Sequence, residues 1–184
     1  MTDAPGSAPW LPLLAEGPAA VKRWLVDNEP GQQSPSRTVD WLGLAETTAT
    51  LARTELNPEW AEVAVSIYGQ LAGKVESPSR RESLMYSQMN LRAFMITRLG
   101  ATAGHAVLDP RPVVDWFLDT LRLSIAEAME ASSHWQDLGV AQIRELRRIK
   151  NRLAPVKLLD DAGLVPSEFH ATVSPWLAVR DQLP

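Results

Sequence analysis

Apolar residues recur along this chain at intervals of three and four, the spacing of one face of an α-helix. No segment alternates β-branched with polar residues at period two, so no sheet is expected. The fold class read from this pattern is all-α: a helical bundle of about six to eight helices, in line with the usual bundle logic. It forms one domain over residues 10–184, behind a flexible tail at 1–9 rich in Pro, Ala and Gly.

Trp10, Leu11, Leu13 and Leu14 are too apolar for a free tail and are expected to fold back as a short turn. A helix follows over 18–28, with Val21, Trp24 and Leu25 on one face, and then a polar loop over 28–36 crowded with Pro, Gly and Ser. Over 38–56 a narrow stripe of Leu42, Ala45, Ala49, Ala52 and Leu56 is small enough to let a second helix approach closely. Asn57-Pro58-Glu59 is a stop and a restart: Asn57 caps, Pro58 takes the first helical position and Glu59 complements the dipole. The next helix, to residue 75, carries Trp60, Val63, Ala64, Ile67 and Leu71 on one face. Ser79 and Glu82 have capping-box spacing for a helix that ends at Gly100. Asp109-Pro110-Arg111-Pro112 starts another, with Val114, Phe117, Leu118, Leu121, Ile125, Ala128 and Met129 facing inward. Ser132, Ser133 and His134 break it ahead of a helix over 135–153, and Pro155, Gly163, Pro166 and Pro175 cut the remainder into short pieces.

A weak internal repeat runs through this pattern. Val39-Asp40-Trp41-Leu42 resembles Val114-Asp115-Trp116-Phe117, and one interval separates both Trp41 from Trp116 and Trp60 from Trp135. Two pseudo-repeated helical hairpins, over 38–75 and 113–150 and stacked on each other, would explain it, since neither could bury its apolar face alone. Chance recurrence of helix starts in a chain with seven Trp is the alternative. The interval is far from the ~34 residues of a tetratricopeptide unit or the ~33 of an ankyrin unit.

Composition narrows the function classes. The absence of cysteine excludes disulfides, thiolate metal sites and cysteine nucleophiles. A net charge of −4 argues against a nucleic-acid binder. The chain start carries no basic, apolar secretory signal, and no apolar run approaches the ~20 residues of a membrane span, so a cytoplasmic location is expected. Arginine far outnumbers lysine and alanine is abundant, a bias associated with GC-rich bacterial genomes.

Candidate chemistry is sparse. Phosphate-binding glycine loops and the Gly-x-Ser-x-Gly elbow are absent. His105, His134 and His170 make no Glu-x-x-His or His-x-x-x-His pair. Glu127, Glu130 and His134 share a face only if the helix continues through Ser132 and Ser133; otherwise His134 serves as a cap. Asp115, Asp119 and Arg122 share a face as an acid pair or, more simply, as a solvated surface with an Asp119–Arg122 ion pair. Arg92 lies among apolar neighbours and is expected either to snorkel to the surface or to lie partly buried against a carboxylate such as Asp40, Asp115 or Glu127. Arg92, Asp115, Glu127 and His134 therefore define a candidate internal polar site, joined by Gln88 and Asn90 on the same apolar helices.

One dense basic patch runs over 144–152. Leu146, Ile149 and Leu153 face inward, leaving Arg144, Arg147, Arg148, Asn151 and Arg152 outward, to contact phosphate, to dock an acidic partner or simply to be solvated. No aromatic stacking platform or helix-turn-helix glycine supports nucleic acid there. Trp10 and Trp176, in irregular terminal segments, are the tryptophans expected to be partly exposed and to mark an interface.

Without a catalytic motif, the function expected is a non-enzymatic protein–protein interaction module: an adaptor, an assembly chaperone or an immunity or antitoxin-like inhibitor binding an acidic partner surface. The expected partner is another protein; a homodimer is the second reading, and nucleic acid and membrane are disfavoured. No catalytic residue, metal or cofactor is assigned. The alternative is a helical-bundle enzyme or small-ligand binder with a polar site between helices.

Overall fold

A computed structural model describes residues 8, 10–28, 30, 39–102 and 104–184. The tail expected at 1–9, apart from residue 8, and most of the polar loop expected at 28–36 lie outside the described residues. Among those described the fold is all-α, with nine α-helices and no strand. No helix among them is long and apolar enough to cross a membrane.

The chain divides into two compact units, Met1–Leu91 with Ala103–Val107, and Arg92–Thr102 with Leu108–Pro184. The first unit holds α1 (Leu11–Glu16), α2 (Pro18–Asp27), α3 (Trp41–Glu55), α4 (Pro58–Lys74) and α5 (Pro78–Leu99) through Leu91. Its centre is the pair α3 and α4, joined through Leu56 and Asn57 and packed along each other, as expected over 38–75. Asn57 caps α4 as the sequence requires, its side chain accepting from the Glu59 N–H at 2.9 Å. Trp60, Val63, Ala64 and Ile67 are buried as expected, joined by Ala61, Val65, Tyr68 and Ala72.

On α3 the alanines Ala45, Ala49 and Ala52 are buried, but Leu42 and Leu56 are exposed. Trp41, Leu44 and Thr48 complete that face instead. Leu56 leaves the stripe because it turns into the left-handed region at φ 51°, ending the helix. A side chain there costs about 1 kcal/mol. Ser77, not Ser79, caps α5, accepting from the Arg80 N–H at 3.4 Å, because Pro78 fills the first helical position. Arg81 then donates to the Ala72 and Val75 carbonyls, satisfying acceptors at the end of α4.

The second unit holds the rest of α5, then α6 (Arg111–Leu118), α7 (Ile125–Ser133), α8 (Val140–Asp161) and α9 (His170–Val179). Here α6 packs on α8, and α9 on α7 and α8. Gly100 closes α5 with φ 84°, its N–H on the Ile96 carbonyl at 2.8 Å, as expected. The single helix expected after Pro110 is two. Ser124 and Glu127 form a reciprocal capping box that starts α7 afresh. The helix expected from 135 starts at Val140, after a 3-10 turn at Trp135–Asp137, and runs through Pro155 to Asp161. Pro155 is buried inside α8 and does not cut it. Pro175 likewise sits within α9. The stretch 113–150 thus takes a different form from α3 and α4: two short helices, a turn and the start of a long helix.

Candidate functional site

Length and one-sided burial make α8 the principal surface element of its unit. Leu146, Ile149, Leu153, Val156 and Leu159 are all fully buried, fixing which face points outward. Each such burial is worth about 1.5–3 kcal/mol, so the orientation is strongly determined. Gln142 accepts from the Gly139 N–H at 3.2 Å and closes the helix start.

The basic patch divides into bound and unbound cations. Arg148 forks onto Glu145 at 2.7 and 2.8 Å. Lys150 donates to the Leu183 carbonyl at 2.7 Å, and Lys157 pairs with Asp161. Arg152 is turned inward: its guanidinium lies 4.5 Å from the Trp116 ring centroid and donates to the Trp116 carbonyl. Such a stacked, partly desolvated arginine is worth about 1–2 kcal/mol and holds α6 to α8. The expectation that Arg152 faces a partner is corrected accordingly, whereas Arg148 pairs with its helix neighbour Glu145 and stays partly exposed. Arg144 and Arg147 remain exposed and make no ion pair among the described residues.

The tryptophan expectation also changes. Trp10 is 5% exposed and Trp176 4%, both core residues. Trp10 closes the turn into α1, its carbonyl accepting from Leu13 N–H at 3.0 Å. Trp176 stands edge-on to Phe117, centroids 6.3 Å apart at 77°. The exposed ring is Trp135, at 45%, just upstream of Val140 at 73%.

The candidate internal polar site does not assemble. Glu127 is exposed and engaged by Ser124: the Ser124 N–H and hydroxyl both donate to Oε2 at 2.7 Å. Those bonds, backbone first, hold its carboxyl below the ordinary range. Asp115 and His134 are exposed, His134 at the C-terminal cap of α7. Asp40 caps α3 by accepting from the Gly43 N–H at 2.8 Å. Arg92 alone of the four is partly buried. Because α6 ends at Leu118, Asp119 and Arg122 lie beyond the helix that was to pair them. Gln88 serves structure, donating to the Val65 carbonyl at 3.1 Å.

One polar cluster carries no sequence signal. In the first unit Glu62 of α4 accepts from Lys22 of α2 at 2.7 Å, while His105 Nδ1 lies 3.0 Å from its other carboxylate oxygen. Residues 22, 62 and 105 are too far apart in the chain for any local motif. Burial alone would raise the Glu62 pKa, but the hydrogen bonds from Lys22 and His105 outweigh it and hold the carboxyl below its usual value. Both oxygens are occupied, so the group suits a clasp better than a proton acceptor. Glu62→Gln is expected to cost up to about 1 kcal/mol near neutral pH, as for partly exposed pairs. The depressed pKa means that this stability is present above the unfolded value of about 4.3 and is lost as pH falls through the folded value. Urea midpoints of wild type and variant should converge from pH 7 to pH 3; a constant gap would remove the clasp.

Among the described residues no group of three or more His, Asp or Glu stands close enough to hold a metal ion. No protein-family model matches the chain, and no curated protein or solved structure is significantly similar to it.

Proposed function

We propose that this chain is a non-enzymatic protein–protein interaction module that binds an acidic partner surface through the outer face of α8. The observation that carries this reading is the pair Arg144 and Arg147, exposed and without internal counter-charge among the described residues, with exposed Val140 one helical turn before Arg144. Every other cation of α8 has an acceptor within the fold. Arginine is a residue type that recurs at binding hot spots. A local positive field on a chain of net charge −4 selects an acidic surface and steers its approach. An adaptor, an assembly chaperone or an immunity or antitoxin-like inhibitor would use such a face.

Photo-crosslinking in the native host maps the contact. A crosslinker placed at position 147 is expected to trap one protein, and the same group at Arg98 of α5 to trap none of it. Equal trapping from both positions would remove α8 as the contact face.

A further inference from the structure

Resting on the interaction reading above, we infer that the partner engages α8 as a helix, with carboxylates at its middle and apolar residues at its ends. The outward residues Val140, Arg144, Arg147, Asn151, Ala154 and Leu158 follow one another at intervals of four, three, four, three and four. That is the spacing of a two-helix seam, in which alternate positions stay on one side over many turns. Of the six, all but Ala154 are exposed, and Ala154 is partly so. Helices inside a fold bury a seam of this kind; here it lies open beside a second, fully buried face made by Leu146, Ile149, Leu153, Val156 and Leu159.

The chemistry along the seam is graded. Val140 and Leu158 are large exposed apolar side chains at its two ends. Arg144, Arg147 and Asn151 form its middle. An arginine fork is best met by a carboxylate, two N–H groups to two oxygens, and is strongest where water is excluded. An Asn at a seam position fixes register between two helices because it needs a polar neighbour. The occupant that matches runs apolar, acidic, amide, small, apolar. At 1.5 Å per residue the seam is about 27 Å long, five turns of partner helix.

A second copy of this chain does not match. Parallel pairing sets Arg144 beside Arg144 and Arg147 beside Arg147. Antiparallel pairing with Val140 against Leu158 sets Arg147 against Asn151 and Arg144 against Ala154, gathering four guanidiniums with no carboxylate on the seam. Like charges so placed are unfavourable by the same Coulomb argument that favours an acidic helix. A phosphate backbone matches only the two arginines and leaves Val140 and Leu158 without apolar neighbours.

The test uses the full chain and a synthetic helix of about 21 residues, stapled away from its seam, carrying Leu, Glu, Glu, Asn, Ala and Leu at the four-three spacing. Binding is read by fluorescence anisotropy. Affinity is expected to fall at least about tenfold for Arg144→Glu/Arg147→Glu and again for Val140→Ser/Leu158→Ser, both of which change only exposed positions. A peptide of the same composition with its seam residues shuffled is expected to bind at least about tenfold more weakly. Equal binding by the shuffled peptide would overturn the helical seam while leaving an acidic partner surface in place. No binding up to about 1 mM, or a dimer of the chain dissociated by the same substitutions, would also overturn it.

Discussion

Phe117→Ala is expected to destabilise the second unit by about 3–5 kcal/mol, the usual range for a buried aromatic truncated to alanine. Phe117 is fully buried on α6, and its ring meets the edge of Trp176 from α9. The substitution removes both the transfer free energy of the ring and the aromatic pair, worth about 0.5–1.5 kcal/mol more. Domains are stable by about 5–15 kcal/mol, so a loss of this size moves the urea midpoint far. Trp116, Trp135 and Trp176 report on this unit, so fluorescence follows its unfolding. A shift below about 1 kcal/mol would mean that Phe117 does not sit in a close-packed core.

Ala49→Leu is expected to cost about 2–3 kcal/mol, by overpacking rather than by leaving a void. Ala45, Ala49 and Ala52 all lie on the buried face of α3, whose principal neighbour is α4. A branched side chain there forces the helices apart or itself off-rotamer. Leu42→Ala is the control: it changes apolar volume by the same amount in the opposite sense, but at an exposed position, and is expected to change stability by less than about 0.5 kcal/mol. Thermal unfolding followed by circular dichroism ranks the two, and the reverse order would contradict the placement of the stripe.

The small-residue stripe shows what a single sequence reveals. The alanines of α3 are legible because periodicity depends on local spacing alone. So are the caps at Asn57-Pro58 and Gly100, where one backbone geometry demands one residue type. Breaks hidden inside an apolar run are harder. Ser124 and Glu127 carry a capping-box spacing, but Phe117, Leu118, Leu121 and Ile125 around them continue the helical period and mask it. Pro155 misleads the opposite way. It reads as a stop, yet burial of Leu153, Val156 and Leu159 outweighs one missing hydrogen bond and carries α8 past it.

Tertiary polar contacts were the least legible. Lys22, Glu62 and His105 meet only because α2, α4 and the segment after α5 converge in the first unit. Arg152 reads as one more outward arginine until Trp116 is seen beneath it. Trp10 and Trp176 read as exposed because their segments contain Pro, whereas each completes a core. Arg144 and Arg147 keep the place that periodicity gives them.

The most direct measurement is the association rate of the crosslinked partner, once purified, with the full chain at rising salt. For the wild type the rate should fall steeply as ionic strength increases; for Arg144→Glu/Arg147→Glu it should be at least about tenfold lower in dilute salt and nearly flat. Equal rates and equal salt slopes for the two chains would place the contact elsewhere than on the outer face of α8.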